Sequence, residues 1–120
     1  MKNKTLILGA SENPSRYSFL ALNKLKSKGH EVVAIGKKAG MVNGVAIQTD
    51  QVPTEDIDTV TLYLNPMHQK PYYDYILSLK PKRIIFNPGT ENLELERLAE
   101  GNGIDAVEAC TLVMLSTGQY

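Results

Sequence analysis

Short apolar runs alternate with amphipathic stretches along almost the whole of this chain. Residues 5–8, 32–35, 45–47, 59–64, 83–86 and 104–107 are rich in aliphatic or β-branched side chains and too short for helices. Between them, Phe19, Leu22 and Leu25 recur at three-residue spacing, with Tyr17 and Ala21 on the adjacent face. Tyr72, Tyr73, Ile76 and Leu77 form the apolar side of a second helix, and Leu95, Leu98 and Ala99 mark a third. Strands and helices that take turns make parallel strands joined by right-handed crossovers, with helices on both faces. The expected fold is α/β: a single Rossmann-like doubly wound domain over residues 1–120, with a mostly parallel sheet of about five to six strands.

Punctuation residues set the expected boundaries. Ser15 or Ser18 is placed to cap the first helix, and Gly29 to stop it. The glycine-containing segment 36–44 reads as a loop, and 45–47 as an edge strand. Residues 53–58 read as a polar connection or one helical turn. Asn65 suits a helix cap and Pro66 the first position after it. That helix should reach Leu79, with Pro71 confined to its first turn. The apolar tail after Cys110 (Leu112, Val113, Met114, Leu115) fits a strand or a helix, and offers a surface to a second subunit or a partner protein.

Composition then narrows the function. Thirteen basic residues balance thirteen acidic ones, so the chain carries no electrostatic footprint for nucleic acid or an anionic membrane. One cysteine rules out an internal disulfide, and one cysteine with two histidines argues against a structural zinc site. No apolar stretch approaches the ~20 residues of a membrane helix, and the start lacks the apolar core of a signal peptide. The expectation is a cytoplasmic protein with a core but no bound metal, since a chain this long buries roughly two-thirds of its unfolded surface.

In such folds ligands bind beyond the carboxyl ends of the strands. That rule selects the segments 9–18, 36–44, 65–68 and 87–92. In the first, Gly9 lets the backbone turn sharply out of a strand, and Ala10 and Ser11 add little bulk. Backbone N–H groups there and at the following helix start suit an anion, and Ser11, Arg16 and Ser18 add side-chain donors. In the second, the strand ends at Gly36 and runs into Lys37 and Lys38. A dinucleotide fold that binds NAD carries a carboxylate there for the ribose hydroxyls. Two lysines instead suit a ribose bearing an extra phosphate, as in NADP or coenzyme A. NADP needs a nicotinamide site and a catalytic group, for which the chain has no evident room, and the further glycines of the dinucleotide fingerprint are missing.

These motifs together resemble the coenzyme A-binding domain family, the module found at the amino end of the succinyl-CoA synthetase α subunit and as small stand-alone bacterial proteins. GASENPSRYS is similar to its diphosphate loop, which implies contacts from Gly9, Ala10, Ser11, Asn13, Pro14, Arg16 and Ser18. GKKAGMVNGVAIQT resembles the Lys- and Gly-containing loop after the second strand, implying Lys37 or Lys38 at the ribose 3′-phosphate. LNPMHQKPYYDYI resembles the passage bordering the adenine, with Asn65 and Pro66. FNPGTEN lies where the synthetase has a strand-end turn, implying Asn87, Pro88 and Gly89 in the cleft wall. Cys110 falls where many members have a cysteine. Many stand-alone members have Asn-Pro where this chain has Gly36-Lys37, and the synthetase's phosphorylated histidine belongs to a second domain. The resemblance thus implies non-catalytic binding of coenzyme A or an acyl-CoA through its 3′-phospho-ADP part. An NADP-binding small reductase, or an interaction protein with a vestigial cleft, are the alternatives.

The remaining polar residues read as structural. His30 is expected at the surface and His68 at a helix start on the binding edge. Cys110 fits a small buried hydrophobe at a strand end. Asp56 and Asp58 fit loop solvation, and Glu91 a favourable charge at a helix start. Tyr63 and Tyr72 are the tyrosines nearest an adenine site.

Overall fold

The computed structural model describes residues 3–120. Its strands are β1 (Thr5–Ala10), β2 (Val32–Gly36), β3 (Gly40–Val42), β4 (Val45–Gln48), β5 (Thr59–Leu62), β6 (Arg83–Phe86) and β7 (Asp105–Glu108). Its helices are α1 (Tyr17–Ser27), α2 (Pro66–Gln69), α3 (Tyr73–Leu79), α4 (Leu93–Gly101) and α5 (Thr111–Ser116). The strands make one sheet in the order β3-β4-β2-β1-β5-β6-β7. Every pairing is parallel except β3 with β4. The chain winds outward from β1 through β2 and β4, then crosses back to β5 and winds the other way. The fold is therefore doubly wound, and its switch point lies between β1 and β5.

Alternation along β1 divides the core. Leu6 and Leu8 face Val60, Leu62, Ile84 and Phe86, and pack under Ile76 of α3 with Leu95 and Ala99 of α4. Ile7 faces the other way, with Ala34 and Ile47, under Leu22 and Leu25 of α1 and Leu115 of α5. Leu6, Ile7 and Leu8 are wholly buried, each worth about 1.5–3 kcal/mol of transfer free energy. The second face turns polar toward β6. There Arg83 donates from Nε to Thr59 Oγ1 at 2.8 Å, and its guanidinium lies 4.4 Å from the centre of the Tyr120 ring. The Tyr120 hydroxyl is hydrogen-bonded to that of Thr5.

Several local expectations are corrected. The sheet has seven strands among the described residues, not five to six. The extra one is β3, inside the segment read as a loop. Asn43 and Gly44 both take positive φ, 49° and 79°, and close a tight hairpin between β3 and β4. An Asn-Gly pair flanked by valines is a hairpin signal in its own right. So β4 lies inside the sheet, and β3 forms the edge. The helix expected from Pro66 to Leu79 is broken into α2, a 3₁₀ turn at Lys70–Tyr72 and α3, because Pro71 falls beyond the first turn and has no N–H to donate. The tail is helical. Arg16 occupies the cap position of α1 without a side-chain cap; Ser18 is buried in the first turn, and Ser15 turns back onto Asn13. His30 is not a free surface group: its Nδ1 accepts from the Asn3 N–H at 2.9 Å, and its ring meets Tyr120 edge-on at 4.9 Å. No helix among the described residues is long and apolar enough to cross a membrane.

Gly36 leaves less room for a side chain than Gly9 or Gly40. A Cβ built at Gly36 would lie 2.2 Å from the Ala10 carbonyl oxygen and 3.0 Å from Ile47. Gly36→Ala should therefore cost about 1–3 kcal/mol, read as a lower urea midpoint at unchanged m-value. A midpoint equal to wild type would show that the two backbones do not approach this closely.

Candidate functional site

Above the carboxyl ends of β1, β2 and β5 lies a cleft of about 800 Å³. Its floor is the turn out of β1. Gly9 has φ +98°, and a Cβ there would sit 3.0 Å from the Tyr63 backbone. The β1–β2 register shifts between Leu8 and Ala10, so the bulge lifts the following residues over the sheet end. The loop is then held by its own side chains. Ser11 Oγ accepts from the Asn13 N–H, and Asn13 Oδ1 accepts from both the N–H and the hydroxyl of Ser15. Arg16 N–H closes on the Asn13 carbonyl at 3.0 Å. The N–H groups of Tyr17 and Ser18, in the first turn of α1, have no acceptor within the helix. They are directed at the cleft end of the helix, where the dipole favours an anion.

Of the residues expected to bind, Gly9, Ala10, Ser11, Asn13, Arg16, Ser18, Lys37 and Lys38 line this one cleft. Lys37 and Lys38 leave β2 as exposed residues, and neither makes an ion pair among the described residues. The remaining ones do not line it. Pro14 is exposed on the loop. Gly36 is buried beneath it, as the spacer that lets Ala10 approach. Asn65 caps α2, its side chain accepting from the His68 N–H at 3.1 Å, with Pro66 in the first position. Gly89 is an exposed turn residue with φ +93°.

Asn87 is a buried latch. Its Nδ2 donates to Thr61 Oγ1 at 2.7 Å and to the Leu62 carbonyl at 2.9 Å, while its Oδ1 accepts from the Thr111 N–H at 2.9 Å. One amide thus joins the ends of β5 and β6 to the start of α5. A second amide, Gln69, is wholly buried and donates to the carbonyls of Leu64 and Thr90, both at 2.8 Å. Asn92 Nδ2 donates to Gln69 Oε1, and the Asn92 Oδ1 caps α4. These amides fix the far wall of the cleft, which Tyr63, Leu64, Pro88 and Thr90 line.

The cleft therefore has two ends of different character. One is cationic and rich in N–H donors (Arg16, Lys37, Lys38, the first loop). The other is neutral. Burial pushes the Tyr63 phenol up to about 12, with the hydroxyls of Thr61 and Thr111 opposing the rise, so it stays neutral throughout the physiological range. Its oxygen is buried and lacks a well-formed hydrogen bond. Cys110 is half-buried beside this wall as the residue before α5.

Sequence reasoning missed Glu12, Ser15, Tyr17, Leu64 and Thr90 as lining residues, while Pro88, expected in the cleft wall, does line it. It also missed the amide latches. Glu12 had a legible position in the loop but no legible partner: its Oε2 accepts from the Met41 N–H at 2.8 Å, across a hairpin that was not expected. No group of three or more His, Cys, Asp or Glu side chains among the described residues is arranged to hold a metal.

Comparison with known proteins follows the same line. A family model described as a CoA binding domain matches residues 3–116. A solved structure of an uncharacterized protein is 55% identical, with a TM-score of 0.97, and the match covers 100% of this chain and 99% of that one. A hypothetical protein from Pyrococcus horikoshii OT3 has the same fold at 23% identity and a TM-score of 0.87, covering 97% and 83% of the two chains. A conserved hypothetical protein from Pyrococcus furiosus is 26% identical with a TM-score of 0.80, covering 92% and 97%. Among curated proteins none matches this chain.

Asn87→Ala should lower stability by about 2–6 kcal/mol, because it strands the buried Thr111 N–H and Leu62 carbonyl at about 1–3 kcal/mol each. Denaturant unfolding measures this. A loss under 1 kcal/mol would show that the latch contributes little.

Proposed function

This chain belongs to the CoA binding domain family, and from that premise we propose that its cleft holds coenzyme A or an acyl-CoA by the 3′-phospho-ADP end, without chemistry of its own. One observation carries the reading. Two lysines with no ion-pair partner among the described residues face the same cleft as a phosphate-type loop and the start of a helix. Such a site presents charge-assisted donors to a diphosphate and, separately, to a phosphate on the ribose.

The division of the cleft supports the same ligand. The diphosphate takes the N–H groups after Gly9, with Ser11, Arg16 and Ser18. Lys37 and Lys38 neutralise the ribose phosphate. The pantetheine arm, which is uncharged, runs toward the neutral wall of Tyr63, Leu64, Pro88 and Thr90. In this reading Asn65, Asn87 and Gly89 shape that wall and do not touch the ligand.

The double variant Lys37→Ala/Lys38→Ala should weaken coenzyme A by roughly ten- to hundredfold, the cost of losing hydrogen bonds to a charged group. Dephospho-coenzyme A should lose far less. Titration calorimetry with both ligands reads the difference, and equal losses would remove the lysines from the 3′-phosphate. Thermal stabilisation of the wild type by NADP but not by coenzyme A would favour a reductase instead. Retention of a partner protein without any nucleotide would favour an interaction module.

A further inference from the structure

We infer that Glu12 is a specificity residue, the acceptor for the free 2′-hydroxyl of a ribose whose 3′-position carries phosphate. The inference rests on the coenzyme A reading of the same cleft and extends it to the sugar.

A carboxylate in an anion site is at first sight a misfit. Glu12 lines the cleft together with Lys37 and Lys38. It would repel a diphosphate or a ribose phosphate at close range. It is nevertheless built in. Oε2 accepts from the Met41 N–H at 2.8 Å, on the side of β3 turned away from β4. Its side chain also lies directly on Gly40, where a Cβ would come within 2.4 Å of the carboxyl carbon. Gly40 thus leaves room for this one carboxylate, and the hairpin holds it beside the lysine loop.

Only part of a nucleotide rewards a fixed carboxylate, namely a hydroxyl or amine donor. In dinucleotide folds the acid that takes the ribose hydroxyls comes from the end of the second strand. Here that place belongs to Gly36, Lys37 and Lys38. The same corner is reached from the first loop instead, because Ala10 and Gly36 touch and bring the two loops together. Glu12 therefore supplies the missing acceptor, while the lysines take the neighbouring phosphate. A carboxylate keeps further acceptor capacity after one backbone bond. The pair reads a ribose with one hydroxyl and one phosphate as two distinct groups.

The test titrates the full chain with adenosine 3′,5′-bisphosphate and with its 2′-deoxy analogue, which differ by the one hydroxyl. Wild type should bind the deoxy compound about tenfold more weakly, as for a hydrogen bond to a charged acceptor. Glu12→Ala should bind both alike. Glu12→Gln keeps a carbonyl for the Met41 N–H, so it preserves the loop, and its ratio should fall to a few-fold. Melting curves of the variants, taken first, establish that each is folded; the Gln variant carries the test if the Ala variant is not. A wild-type ratio near one, or a tenfold ratio that persists in both variants, overturns the role of Glu12 while coenzyme A still binds. Absence of binding by wild type to coenzyme A and to both bisphosphates overturns the parent reading, and this one with it.

Discussion

The cleft depends on one contact between two stretches of backbone. The Ala10 carbonyl passes so close to the Cα of Gly36 that no side chain fits between them. Without that approach the turn out of β1 and the turn out of β2 would stand apart, each an ordinary loop at the end of a strand. With it, backbone N–H groups, a helix start and two lysines address a single volume. The bulge at Gly9 and the missing Cβ at Gly36 are two sides of this geometry: one lifts the first loop over the sheet end, the other admits it.

The opposite wall is made by different means. Asn87, Gln69 and Asn92 are buried amides, and their hydrogen bonds run to carbonyls, hydroxyls and N–H groups of neighbouring turns. A buried amide must find partners or lose stability. Each of these finds them on segments distant in the chain. The loops after β5 and β6 are thereby held rigid, and the residues with which they line the cleft are uncharged and face a loop rich in donors. Rigidity on one side and charge on the other suit a ligand with an anionic head and a neutral arm.

The architecture was legible because it rests on periodicity. Runs such as residues 83–86 are too short and too apolar to be anything but strands in an alternating chain. The phosphate-type loop was legible because Gly9, small neighbours and a helix start form a local pattern. The hairpin was written in Asn43-Gly44 but masked by the lysines and glycine before it, which read as a loop. The helix break at Pro71 was only half legible: the ring forbids an N–H bond wherever it sits, but its distance from the true helix start depends on where Asn65 caps. Asn87 illustrates the remaining limit. Asn-Pro-Gly at a strand end looks like an exposed turn, and only tertiary structure supplies Thr61, Leu62 and Thr111 as partners. Glu12 is the converse case, visible in its loop while its partner strand was not.

The Glu12–Met41 bond also bears on how the molecule ends at its β3 margin. A sheet that stops leaves unpaired N–H and carbonyl groups, a template on which another chain can add itself. β3 is such a margin, and the Met41 side chain on it is largely exposed. By accepting the outward Met41 N–H, Glu12 takes up a donor that an invading strand would need and sets a negative charge across its path. At the far margin, β7 carries Asp105 and Glu108 at its two ends, both exposed. Charge thus stands at both borders of the sheet, so the loop that shapes the cleft also sets an obstacle to strand addition at the β3 edge.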